Sequence, residues 1–146
     1  MSLRRKKYVP DIAELNRVCE HNFMLLARIV QSWELAAISQ FETGPFAVFQ
    51  IKVTEASKFT THVEMRQLSA SMPDLMQPKV LIRVYHDAKM AEVVSSQNAS
   101  RIQPSYLYPN PQMRQPDEKM QINQFLNEWL KYCLHSGLAM HKQVFG

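Results

Sequence analysis

The residues with the most chemical potential stand close together in RVYHDAKMAEV, positions 83–93. Arg83 can hold an anion with help from Tyr85, His86 can act as a base, Asp87 can orient it, and Glu92 adds a second carboxylate. Such a set would serve acid–base chemistry in a small hydrolase or transferase. Against it, neighbouring residues on a strand point to opposite faces, so His86 and Asp87 do not meet by adjacency alone. Asp87 is also a good turn residue, because its carboxylate accepts from nearby backbone N–H groups. Read as a hairpin with residues 86–89 as its loop, the stretch pairs Tyr85 with Met90, Val84 with Ala91, Arg83 with Glu92 and Ile82 with Val93. Arg83 and Glu92 then form a cross-strand ion pair, worth about 0.2–1 kcal/mol on an exposed face. The structural reading of these residues is preferred to the catalytic one.

Other side chains suggest binding. Lys52, His62, Arg66, Arg83 and Tyr85 fall on one predicted sheet face, where they would receive a small anionic ligand or a partner protein. Tyr106 and Tyr108 lie in a proline-rich stretch and can stack on a ligand or pin that stretch to the sheet. Metal binding finds little material. Cys19-Glu20-His21 and Cys133-Leu134-His135 both read C-x-H, but helical residues two apart diverge by about 200° and cannot chelate from one face. With three glycines in the whole chain, no phosphate cradle can be assembled, and no nucleophile elbow is present. No metal or cofactor is expected.

Pro10-Asp11 opens a helix whose apolar residues Leu15, Val18, Cys19, Leu26, Ile29 and Val30 recur at helical spacing. Ile12 belongs to the same predicted stripe, and the helix should end near residue 31 or 32. The period then changes to two. Residues 33–41 predict a strand, and Thr43-Gly44-Pro45 breaks it. Along 46–54, Ala47, Phe49, Ile51 and Val53 share one face; along 59–68, Phe59, Val63 and Met65 do. A loop at residues 55–57 pairs Val53 with Phe59, Phe49 with Val63, Ala47 with Met65, Gln50 with His62 and Val48 with Glu64, which keeps the apolar faces together. Strands at 79–85 and 90–96 form the second hairpin. Residues 98–116 hold Pro104, Pro109, Pro111 and Pro116 and predict a long stiff loop. Pro116-Asp117-Glu118 starts a last helix with acids at its positive end, and Gly137 suits its stop. Ile122, Phe125, Leu126, Trp129, Leu130 and Cys133 form its apolar stripe. Asn123 lies at the margin of that stripe; if buried, it would take partners from the proline-rich loop.

The order helix, hairpins, helix predicts an α+β fold: an antiparallel meander of four to five strands with both terminal helices on one face. The domain spans 11–146 behind a basic arm, 1–10, in which Arg4, Arg5, Lys6 and Lys7 supply four of the chain's 17 basic residues. The arm is read as a charged terminus; weak, non-specific nucleic-acid contact is the lesser alternative behind the net charge of +4. No apolar run reaches the roughly 20 residues a bilayer requires, and no apolar stretch follows the basic start as a secretory leader would need. Two distant cysteines read as reduced core thiols of a cytosolic protein. An edge strand near 34–42 can pair with a second copy to give a homodimer.

Several stretches together resemble one family. They are CEHNF (19–23), FTTHVEMRQ (59–67), IRVYHDAKMAEV (82–93), YPN (108–110) and QPDEKMQINQFLNEWLKYCL (115–134). This combination is similar to the YqiB-like proteins of proteobacteria, a domain of unknown function, from about residue 5 to residue 137. Phe59 stands where the family pattern has tyrosine. The resemblance implies a small cytoplasmic bacterial protein and brings no reaction, cofactor or catalytic residue. The reading preferred from sequence is a non-enzymatic binding or regulatory accessory module.

Overall fold

A computed structural model describes residues 12–44, 47–68, 73, 76–97 and 118–137. Helix α1 spans Ile12–Ile29, followed by strands β1 (Ile38–Gly44), β2 (Ala47–Ala56), β3 (Thr60–Leu68), β4 (Lys79–Tyr85) and β5 (Met90–Gln97). Helix α2 covers Glu118–Tyr132 and closes in a π-helical turn, Cys133–Gly137. The five strands lie in sequence order, each antiparallel to the next. The fold is the expected α+β meander, with β1 and β5 as its edges. No helix of the described residues is long and apolar enough to cross a membrane.

Alternation decides which side the helices cover. Val80, Ile82 and Val84 of β4 are buried while their neighbours are half-buried, and β3 repeats the pattern with Thr61, Val63 and Met65. The apolar inward residues form one core with Leu25, Leu26 and Ile29 of α1 and with the α2 stripe Ile122, Phe125, Leu126, Trp129, Leu130. Trp129 packs edge-on against Phe49 of β2 at 5.3 Å between ring centroids. Burying such side chains contributes about 1.5–3 kcal/mol each, which is why the apolar stripes fix the layer order. Ile12 belongs to the predicted stripe yet is 65% exposed, beyond the reach of the sheet at the start of α1.

Two further expectations are corrected. The first strand begins at Ile38, not residue 33. Ser32 Oγ accepts from the Glu34 amide, Ala37 N–H donates to Glu34 O, and Ala36 takes a left-handed φ of 71°, so residues 32–37 turn before the strand starts. The β2–β3 register also differs. Val53 pairs with Val63 and Phe49 with Gln67, rather than with Phe59 and Val63; Val48 meets Leu68 and Gln50 meets Arg66. The hairpin tightens at residues 57–59, where Ser57 N–H donates to Thr60 O, and a bulge at Thr54 absorbs the extra residue. A slip of an even number of residues preserves sidedness, so alternation could not discriminate between the two registers. Phe59, expected inward, caps the hairpin tip at 54% exposure with the Lys58 ammonium 5.2 Å from its ring centroid. The β4–β5 hairpin pairs as expected from Tyr85–Met90 to Ile82–Val93, with Lys89 at φ 58° in its turn.

Three buried asparagines tie the helices to the sheet. Asn123 accepts from the Val93 N–H of edge strand β5 through Oδ1 at 2.9 Å and donates through Nδ2 to Lys119 O. Asn22 Nδ2 donates to Asn123 O, and Asn127 Nδ2 donates to Asn22 Oδ1 at 2.9 Å. Asn123 is thus buried, and these partners are the β5 edge and the two helices instead of the proline-rich loop expected from sequence.

Candidate functional site

The side of the sheet away from the helices is built by the other half of each strand's alternation. Register sets its side chains in rows. Gln40, Gln50, Arg66, Lys79 and Gln97 run across the five strands; Lys52, Glu64 and Leu81 form the next row; His62, Arg83 and Glu92 form a third; Thr60, Tyr85 and Met90 lie beyond. Lys52, His62, Arg66, Arg83 and Tyr85 therefore share one face, as their positions in the alternation require.

Within this face the cations are paired unequally. Arg66 Nη2 donates to Glu64 Oε1 at 2.7 Å, and Lys79 Nζ lies 3.5 Å from Glu64 Oε2. Partial burial would raise the Glu64 pKa, but the Arg66 hydrogen bond and the charges of Arg66 and Lys79 hold it below the ordinary value. Lys52, exposed, makes no ion pair among the described residues. Arg83 is different again. Its Nε donates to His62 Nε2 at 3.1 Å and its Nη1 to the Tyr85 hydroxyl at 3.3 Å, both neutral acceptors. The bond to Tyr85 is the largest influence holding the guanidinium above its ordinary pKa.

The cross-strand ion pair expected between Arg83 and Glu92 does not form, although the two residues are register partners. Tyr85 stands between them and donates its hydroxyl proton to Glu92 Oε2 at 2.7 Å. Lys119, reaching from α2 round the β5 edge, takes the other carboxylate oxygen at 2.8 Å. Partial burial opposes ionisation of Glu92, but the Lys119 and Tyr85 bonds and the charges of Lys119 and Arg83 outweigh it and lower its pKa. On the far side, His62 Nδ1 faces Glu55 Oε1 at 3.6 Å. The result is one chain of polar contacts, Glu55–His62–Arg83–Tyr85–Glu92–Lys119, with the guanidinium at its centre.

His86 and Asp87 take no part in it. The His86 ring turns to the helix-clad side, where Nε2 lies 2.7 Å from Thr61 Oγ1 and the ring meets Trp33 and Phe23 edge-on at 5.0 and 6.3 Å between centroids. Asp87 Oδ1 accepts from the Ala88 amide, a turn contact. Glu92 alternates with buried Ala91 and Val93 and so faces the opposite side from His86. The acid–base set His86, Asp87, Glu92 is therefore not brought together. Tyr106, Tyr108 and the basic arm lie outside the described residues.

Cys19 and Cys133 are buried free thiols, with burial pushing Cys19 up to about 11 and raising Cys133 as well. No group of three His, Cys, Asp or Glu side chains among the described residues is arranged to hold a metal ion. A groove of about 260 Å³ runs between the β5 edge and the start of α2, lined by Val93, Val94, Ser95, Ile122 and Lys119 among others.

Sequence reasoning missed Glu64, Lys79, Glu55 and Lys119. Glu64 alternates with His62 and Arg66 and was legible as their neighbour. Lys119 was not, because a helix some thirty residues downstream delivers it. The arrangement suits recognition of an oxyanion: a guanidinium with neutral neighbours, a nearby imidazole and an exposed lysine on the same side.

Comparison with known proteins gives a consistent family. The model of a family described as "Protein of unknown function (DUF1249)" matches residues 24–139. The chain is 39% identical over 136 residues to the uncharacterized protein YqiB of Escherichia coli K12, covering 92% of this chain and 97% of that protein. The YqiB proteins of the O6:H1 and O157:H7 strains match to the same extent. No solved structure matches the chain.

Proposed function

We propose that this chain, which belongs to the DUF1249 family of proteins of unknown function, is a non-enzymatic accessory module of the bacterial cytoplasm that binds an anionic group on the sheet face away from its helices. The observation that carries the reading is Arg83. Arg66 and Lys79 share the Glu64 carboxylate, whereas Arg83 is held by a neutral imidazole nitrogen and a phenol oxygen. A guanidinium without a carboxylate contact keeps its charge and its spare N–H groups available for an incoming carboxylate or phosphate. A binding role is favoured over catalysis because His86, Asp87 and Glu92 are each engaged in separate contacts. Two buried free thiols suit a reducing compartment.

Titration of ¹⁵N-labelled protein with sodium sulfate at neutral pH and fixed ionic strength tests this reading. Amide resonances of His62, Arg83 and Tyr85 should shift in a saturable way while those of Leu26 and Leu126 stay still. Arg83→Ala should abolish the shifts and leave the thermal midpoint nearly unchanged. Shifts spread evenly over both faces, or undiminished in Arg83→Ala, would reject the site.

A further inference from the structure

We propose that the His62–Arg83 contact is a proton-coupled oxyanion site, in which an anionic group enters between imidazole and guanidinium and His62 takes up one proton from solvent at Nε2. The inference rests on the sheet face away from the helices being a binding surface and adds how that surface is regulated.

The contact itself fixes the protonation of the empty site. Arg83 Nε carries a hydrogen and has no lone pair to give, so His62 Nε2, 3.1 Å away, must accept. The ring proton therefore sits on Nδ1, the nitrogen facing Glu55 Oε1 at 3.6 Å. In this state His62 occupies the Nε–H of Arg83. That hydrogen belongs to one of the two guanidinium edges that bind an oxyanion with two parallel bonds.

Protonation at Nε2 sets N–H against N–H and opens the contact. A carboxylate or phosphate oxygen placed there accepts from both groups, replacing one bond from the guanidinium to a neutral acceptor with bonds in which donor and acceptor are both charged. The groups around His62 favour such a two-state arrangement. From β2, Glu55 supports the imidazolium and Lys52, on the neighbouring row, opposes it. On β3 itself, Glu64 is engaged by Arg66 and Lys79. From β4, Arg83 opposes a second positive charge and Tyr85 gives its proton to Glu92 of β5, which Lys119 also holds. An anion between ring and guanidinium would separate the two N–H groups and offer an acceptor to each. Proton and anion then reinforce each other's binding by the same factor.

Two measurements test the proposal. In the ligand-free protein at about pH 8, where imidazoles are ordinarily neutral, ring ¹H–¹⁵N correlations should show the Nδ1–H tautomer for His62. The Nε2–H tautomer would overturn the inference whatever binds. Sodium sulfate and sodium acetate are then titrated calorimetrically at about pH 6 and about pH 8, at matched ionic strength; both anions stay ionised over this interval, so any pH dependence belongs to the protein. Affinity should rise on acidification by up to about tenfold per pH unit. A preference for sulfate supports the site as one for a tetrahedral, phosphate-type group, and a preference for acetate as one for a carboxylate.

His62→Gln retains an acceptor for Arg83 Nε–H but cannot become charged, and should bind equally at both pH values. Wild-type affinity that is independent of pH, or pH dependence surviving in His62→Gln, overturns the coupling while leaving the binding face intact. Absence of binding by either anion at either pH overturns both readings.

Discussion

His62 and His86 lie on opposite sides of the same sheet and are treated in opposite ways. His86 is lodged among Trp33, Phe23 and Thr61 on the helix-clad side, where its ring completes a packed aromatic group. His62 faces outward, between a guanidinium and a carboxylate whose side chain is 77% exposed. The contrast extends to the surrounding polar groups. On the clad side the buried Asn22, Asn123 and Asn127 form one hydrogen-bonded network, which reaches the exposed His21 ring through Asn127 Nδ2. On the other side the contacts are charged and unevenly shared, two cations on Glu64 and, among the described residues, no carboxylate hydrogen-bonded to Arg83. An unsatisfied buried polar group is expensive, which favours matched partners on the clad side even though Trp129 Nε1 there has none among the described residues. Solvated charges tolerate imbalance. Stability is therefore concentrated on one side of the sheet, and available binding energy on the other.

The sharpest way to break this contrast is to open the asparagine network. Asn123→Ala strands the Val93 N–H and removes the buried hydrogen bond from α2 to β5, leaving the Lys119–Glu92 ion pair at the edge. Chemical denaturation should show a loss of about 1–3 kcal/mol, the range for leaving a buried polar group unpaired. Asn22→Ala should cost a similar amount, and the double variant less than the sum, since both act on one network. Additive losses would mean that the network does not act as a unit.

A smaller effect is expected on acidification. Glu64 and Glu92 have folded-state pKa values below the ordinary 4.5. Their contribution to stability is fully present above that value and is lost as pH falls through the lowered ones. The thermal midpoint should thus decline below about pH 4.5, and Glu92→Gln should flatten the decline. A decline as steep in that variant would assign the effect to other carboxylates.

The smallest change belongs to the lysines of this face, exposed Lys52 and half-buried Lys79. Lys52→Ala and Lys79→Ala should each alter stability by less than about 0.5 kcal/mol, within the range for surface substitutions. A loss of several times that amount would erase the distinction between the two sides.

Much of this asymmetry could be read from residue order, and particular residues show where reading failed. Val80, Ile82 and Val84 alternate with Leu81, Arg83 and Tyr85, so the polar side was legible one strand at a time. The β4–β5 register was legible too, because a short turn leaves few alternatives. The β2–β3 register was not. Pairings four residues apart put the same side chains on the same face, and only the tip geometry with the Thr54 bulge distinguishes them. Arg83 and Glu92 were rightly set opposite each other, but their bond depended on competitors: Tyr85 at 2.7 Å and Lys119 at 2.8 Å from Glu92.

The sequence by itself determined the element types, the sidedness of each strand and the layer order, because periodicity and burial are properties of a segment and its nearest neighbours. Tertiary structure alone decided which charges are neutralised. Lys119 must fold round the β5 edge before Glu92 is satisfied, and Glu64 must stand between Arg66 and Lys79 before Arg83 is left to neutral partners. Electrostatic pairing falls off over a few ångströms, and distances of that kind between remote residues exist only once the helices have docked.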